Sequence, residues 1–185
     1  MANRSYLYSH HPEANKKYRD LAEHNYSIPL IHLILVGIEP EVCNSALWEI
    51  DQAIAIRGKA TPARELLFSF LEWLKPQLND DFSEQVNQAK TLLLKEDRQG
   101  TYYHLEPAEV YELMGLSVEE MNLQALEDAE ESALICQVIK DLLAIEGSTL
   151  ANTDNELLKR IPDNWQAELG LYFSEVLYYH FRLDD

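Results

Sequence analysis

The sequence predicts a mainly α, compact multi-helix domain, with a small β element as its α+β variant. Three observations carry this. Apolar residues recur at helical spacing through most of the chain. Helix starts are marked by capping residues and first-turn prolines. Most of the 6 glycines fall at the ends of these segments.

Ser5 to Ser9 is aromatic and partly alternating, which suits a short strand or extended arm. Ala14 to Glu23, after Pro12, is compatible with a helix. Ser27 is the expected cap of the next helix, apolar on every side from Leu30 to Val36 and ended by Gly37. Val42, Ala46, Leu47, Ile50, Ala53 and Ile54 repeat at helical spacing up to Gly58. Thr61-Pro62 opens a further helix whose stripe is Leu66, Leu67, Phe70, Leu71 and Leu74, with Pro76 at its end. Asp80 or Asp81 caps a helix from Phe82 to about Arg98. Tyr102 to Leu105 reads as a second short strand. Glu106-Pro107 starts two helical turns with Val110, Leu113 and Met114 inward and Gly115 as the stop.

Ser117-Val118-Glu119-Glu120 has the form of a capping box, opening a helix that runs to Glu146. Thr153 or Asp154 caps a short helix through Arg160. Trp165, Leu169, Tyr172, Phe173, Val176 and Leu177 form the last one. The tyrosines that follow, with His180 and Phe181, either pack that helix or expose an aromatic patch to a partner. Residues 1–185 are expected to form one domain, with a subdivision near 78–81 as the alternative.

The totals exclude several function classes. A formal net charge of −17 disfavours nucleic acid and anionic membrane surfaces, both polyanions. The longest apolar run, Ile28 to Ile38, is too short to span a bilayer. The opening residues lack an apolar signal core, and Cys43 and Cys136 sit singly among apolar neighbours. A cytoplasmic protein with reduced thiols is expected.

Motif searches are mostly negative. The six histidines and two cysteines show no zinc or di-iron spacing, and no metal or cofactor is expected. His10-His11-Pro12-Glu13 reads as polar residues facing solvent rather than as a metal-ligand pair. There is no Gly-rich phosphate loop, no Gly-x-Ser-x-Gly and no cysteine with a Gly-rich approach.

The strongest signal is electrostatic. No Lys or Arg occurs from Gln99 to Ile139, while nine acids do. Glu119 and Glu120 stand at a helix N-terminus, where negative charge is favourable. Glu127, Asp128, Glu130 and Glu131 have no such reason, and like charges at i, i+3 and i+4 repel by roughly 0.2–0.5 kcal/mol per pair. Either they are a solvated face that keeps the protein soluble, or they dock a basic partner.

Asn3-Arg4-Ser5-Tyr6-Leu7-Tyr8, Asn25-Tyr26-Ser27-Ile28-Pro29-Leu30, Ala46-Leu47-Trp48-Glu49-Ile50 and Ala55-Ile56-Arg57-Gly58 resemble segments of an uncharacterised bacterial family. Tyr102 to Glu106, followed by Glu109-Val110-Tyr111, is similar to the middle of that family. The resemblance covers roughly residues 1–120 and implies no activity, so it transfers no catalytic residue. By analogy with small acidic bacterial proteins it suggests toxin immunity as one role.

Three functions follow as expectations. The first is a protein-binding module whose contacts are Glu119, Glu120, Glu127, Asp128, Glu130 and Glu131. The second is an enzyme built from scattered residues such as His32, Tyr103, His104 and a nearby Glu. The third is a homo-oligomeric structural protein.

Overall fold

A computed structural model describes residues 3–180. The chain forms a five-stranded antiparallel sheet with helices on one face, an α+β fold rather than a mainly α one. The strands are β1 (Arg4–His10), β2 (Tyr18–Asn25), β3 (Glu41–Cys43), β4 (Ala55–Lys59) and β5 (Tyr102–Glu106). Their order is β2-β1-β5-β4-β3. The helices are α1 (Leu30–Val36), α2 (Ala60–Leu74), α3 (Asp80–Leu93), α4 (Ala108–Leu113), α5 (Val118–Ala144) and α6 (Glu156–Leu169).

Three of the strands arise where helices are expected. β2 replaces the helix over Ala14 to Glu23 because the chain turns back beside β1, closed by the His11 N–H on the Lys17 carbonyl at 2.6 Å. Pairing with a preformed edge outweighs a weak helical preference. The segment after Val42 divides into β3, a loop over 44–54, and β4. Ile54, Ala55 and Ile56 are all fully buried because both faces of the sheet are covered. A strand buried on both faces loses its alternation and cannot be told from a helix by period.

The two faces differ in character. Leu7, Leu105 and Ile56 stand in register on one face and join α1, α2, α5 and α6 in the main core. Tyr6, Tyr8, His10, His104 and Glu106 alternate onto the other. That second face is covered by the 44–54 loop and by residues 170–180. Tyr8 donates its hydroxyl to the Tyr179 carbonyl at 2.6 Å, and Leu177 is buried against Tyr6 and Tyr8.

The last helix is therefore shorter than its apolar pattern predicts. α6 kinks at Asn164 and ends at Gly170, which adopts the left-handed conformation (φ 62°). Tyr172 to Tyr179 continue as an irregular strap, and Phe181 lies outside the described residues. Gly58 has a different task. A Cβ there would stand 2.1 Å from the Val36 carbonyl oxygen, so only glycine lets β4 meet the end of α1.

Helix starts follow the expected chemistry only in part: Ser27 and Thr61 do not cap, because the N-cap position is Pro29 in α1 and Lys59 in α2, neither with a side-chain cap hydrogen bond. Ser117 and Glu120 form the capping box, with the Ser117 N–H on Glu120 Oε2 at 2.8 Å. Asn79 rather than an aspartate caps α3, and Asn155 caps α6. Leu113 and Met114 are more than half exposed rather than inward, and both line an open groove.

Candidate functional site

The capping box orients α5, and the base-free stretch becomes its outer surface. Glu119, Glu120, Glu127, Glu130 and Glu131 are exposed. The carboxyl of Glu120 lies below its usual range because the Ser117 backbone and side chain hydrogen-bond it. Among the described residues, none of the ion pairs uses Glu119, Glu127, Glu130 or Glu131.

Asp128 does not belong to that surface. It is 9% exposed and accepts the Tyr111 hydroxyl at 2.6 Å and the Gln124 amide at 2.9 Å. Burial, and the charge of Asp128 beside it, push the Tyr111 phenol up. Two hydrogen bonds justify the buried carboxylate, so it ties α4 to α5 rather than awaiting a partner. The i+3 and i+4 spacing cannot distinguish it from Glu131, because only the position of α4 decides which side of α5 is covered.

Beside Asp128 a groove of about 450 Å³ opens between α4, α5, α6 and the turn before α1. Leu33, Val110, Leu113 and Met114 line it, with Glu131 and Glu168 among its charged members. Tyr26, 60% exposed, stands at its side in the left-handed region (φ 67°). A non-glycine residue with positive φ costs roughly 1 kcal/mol or more, and here the Tyr26 N–H on the Asn3 carbonyl at 2.7 Å helps hold that backbone. Glu127 lies one turn before Glu131 and borders the same side of α5. Leu123, Leu126 and Leu134, each close to half exposed or more, lie on α5 outside the groove lining. Sequence periodicity missed the groove, because its apolar members have the spacing of a core stripe.

The residues suggested for an enzyme site separate. His32 is wholly buried in α1, with Nδ1 3.3 Å from Ser5 Oγ. Burial pushes its imidazole down to about 3, so it is a neutral core residue. Tyr103 points into the main core. His104 alternates to the opposite face and meets Glu106, Nε2 to Oε1, at 2.8 Å.

A third member joins them from β3: Cys43 Sγ lies 3.7 Å from His104 Nδ1. Glu106 is fixed in turn, accepting Ser45 Oγ–H at 2.7 Å and the Ala46 N–H at 2.5 Å. Burial alone would lower the His104 pKa, but its hydrogen bonds and charge interactions with Cys43 and Glu106 prevail and raise it to about 9. Cys43 and His104 line a cavity of about 390 Å³ with His10, Tyr18, Asn44 and Arg57. His10, expected at the surface, is buried in β1 and stacks on Tyr18. Among the described residues no group of three or more His, Cys, Asp or Glu side chains is arranged to hold a metal ion. Likewise no helix is long and apolar enough to cross a membrane.

Fold and surface together define an α+β protein with a helix-covered sheet and an acidic, groove-bearing flank. The chain belongs to the domain of unknown function DUF7822, which matches residues 6–147. That match takes in β1 from Tyr6 on, β2 to β5, the two clusters just described apart from Leu157, Ala167 and Glu168 of the groove, and all of α5. No curated protein and no solved structure matches the chain.

Proposed function

We propose that this protein is a cytoplasmic binding module that captures a basic, amphipathic segment of another protein. The observation behind this reading is the apolar groove beside the exposed, unpaired acids Glu127 and Glu131. An amphipathic helix reads such a groove with its apolar face, while its Lys and Arg side chains meet the acidic border. Complementary charge also speeds encounter and rejects acidic competitors. Immunity against a basic toxin would be one instance of this class. Glu119 and Glu130 contribute to the field, and Glu120 does so while capping α5.

Fluorescence anisotropy with a labelled Leu/Lys amphipathic peptide tests the proposal. Binding should weaken with salt, fall in a Glu127→Lys/Glu130→Lys/Glu131→Lys variant, and fall again when Met114→Glu fills the groove with charge. Equal binding by the triple variant at low salt would refute it.

A further inference from the structure

On the sheet face opposite the main core, Cys43, His104 and Glu106 stand in a line. Sulfur and carboxylate engage opposite nitrogens of one imidazole, at 3.7 and 2.8 Å. We propose that these three residues form a nucleophilic thiol site that accepts a small acyl group from an ester or thioester. The site is independent of the docking groove and does not rest on that reading.

Each part of the geometry suits the chemistry. A carboxylate at Nε2 accepts that nitrogen's proton in a hydrogen bond, which leaves Nδ1 to exchange a proton with the sulfur. Ser45 and Ala46 hold the carboxylate, so the imidazole cannot turn away. His104 and Glu106 are almost wholly buried, while Cys43 is the partly exposed member and lines the cavity. A purely structural ion pair would need no accessible sulfur at its end. His10, 8% exposed and lining the same cavity, has a buried Nδ1 with no hydrogen-bond partner among the described residues. Such an orphaned polar atom is costly, and a polar group of a ligand would satisfy it. Cys136 is the contrast within the same chain: it is buried, donates to the Ile34 carbonyl at 3.5 Å, and has its thiol pushed up to about 12 by burial.

In the reaction the Cys43 thiolate bonds to the carbonyl carbon, and the carbonyl π pair moves to oxygen. Collapse of the tetrahedral adduct breaks the bond to the leaving alkoxide or thiolate, which takes the Nδ1 proton of His104 and departs as alcohol or thiol. Water then adds to the Cys43 thioester and gives a proton to Nδ1. The second collapse expels the Cys43 thiolate and releases the acid. The sum is ester plus water giving acid plus alcohol, with no change of oxidation state.

The full chain is treated with iodoacetamide at about pH 6.5 and separately with p-nitrophenyl acetate. Iodoacetamide should label Cys43 and spare Cys136, at least about tenfold faster than it labels N-acetylcysteine at the same pH, as expected of a thiol whose proton an adjacent imidazole can take. His104→Gln should remove that advantage. p-Nitrophenyl acetate should leave an acetyl group on Cys43, seen by peptide mass spectrometry, and none in Cys43→Ala. Cys43 labelling no faster than N-acetylcysteine in the wild type, or a wild-type protein that neither carries acetyl-Cys43 nor releases p-nitrophenolate faster than N-acetylcysteine does, would overturn the proposal without relying on the folding of any variant.

Discussion

The Tyr111 hydroxyl donates to the Asp128 carboxylate at 2.6 Å, across the junction of α4 and α5. This bond closes one wall of the groove and removes Asp128 from the acidic surface around it. Tyr111→Phe and Asp128→Asn should each lower stability by about 1.5–3 kcal/mol, the range for a hydrogen bond to a charged group. Urea denaturation followed by circular dichroism reads this. A change below 0.5 kcal/mol in both would mean that Asp128 is free to serve as a contact after all.

Glu127, Glu130 and Glu131 should behave oppositely. Glu130→Lys replaces an i, i+3 repulsion from Glu127 with an attraction, so stability should rise by roughly 0.2–0.5 kcal/mol. The gain should shrink in high salt, because the charges are exposed and screened. Thermal melts at two ionic strengths would show it, and a loss of stability would contradict the assignment of this face to solvent.

Gly58→Ala places a methyl group against the Val36 carbonyl, backbone that cannot swing aside. A loss of about 1–3 kcal/mol is expected, as for other overpacked sites. Gly115→Ala meets no atom within 4 Å, and its cost should come only from the positive φ of 79°. Comparing the two denaturation midpoints separates close approach from backbone conformation.

Leu177→Ala should cost about 2–3 kcal/mol, the lower part of the range for a buried leucine in a small peripheral cluster. It would also loosen the strap over Tyr6 and Tyr8, and hydrogen exchange in β1 should accelerate. Unchanged exchange there would show that residues 170–180 do not protect this face.

Stability should peak near pH 6.5. His104 has its pKa raised from 6.5 to about 9, so its contribution is complete below 6.5 and is lost as pH rises toward 9. His10 and His32 are lowered to about 4 and about 3, in both cases chiefly by burial. The unfolded chain then binds protons that the folded chain refuses, and stability falls as pH drops from 6.5. In His104→Gln the alkaline decline should flatten while the acid limb remains. Melting temperatures from pH 4 to 9 measure both limbs, and an unaltered alkaline limb would exclude His104 as its cause.

Much of this molecule was legible in local sequence. α1, the stripe of α2, the Ser117–Glu120 capping box and the stop at Gly115 rest on interactions within a few residues of one another, while β1 and β5 were legible from their aromatic, strand-favouring residues although they pair with each other across the chain. Their signals survive without knowledge of the partner surface. The acidic character of α5 and the isolation of its charges from any base were equally visible as a count.

Tertiary structure decided the rest, because the deciding contacts join residues far apart in the chain. β2 and β4 are strands because neighbouring strands offered their edges, and the apolar period of residues 42–58 came from burial on two faces. Asp128 is a tie and Glu131 a surface charge because α4 covers one side of α5 and not the other. Cys43 and His104 are 61 residues apart and belong to no spacing motif. They meet because β4 lies between their strands and brings both side chains onto one face of the sheet. Sequence determines which chemical groups are present and their local geometry, while strand order and helix packing determine which of them face each other.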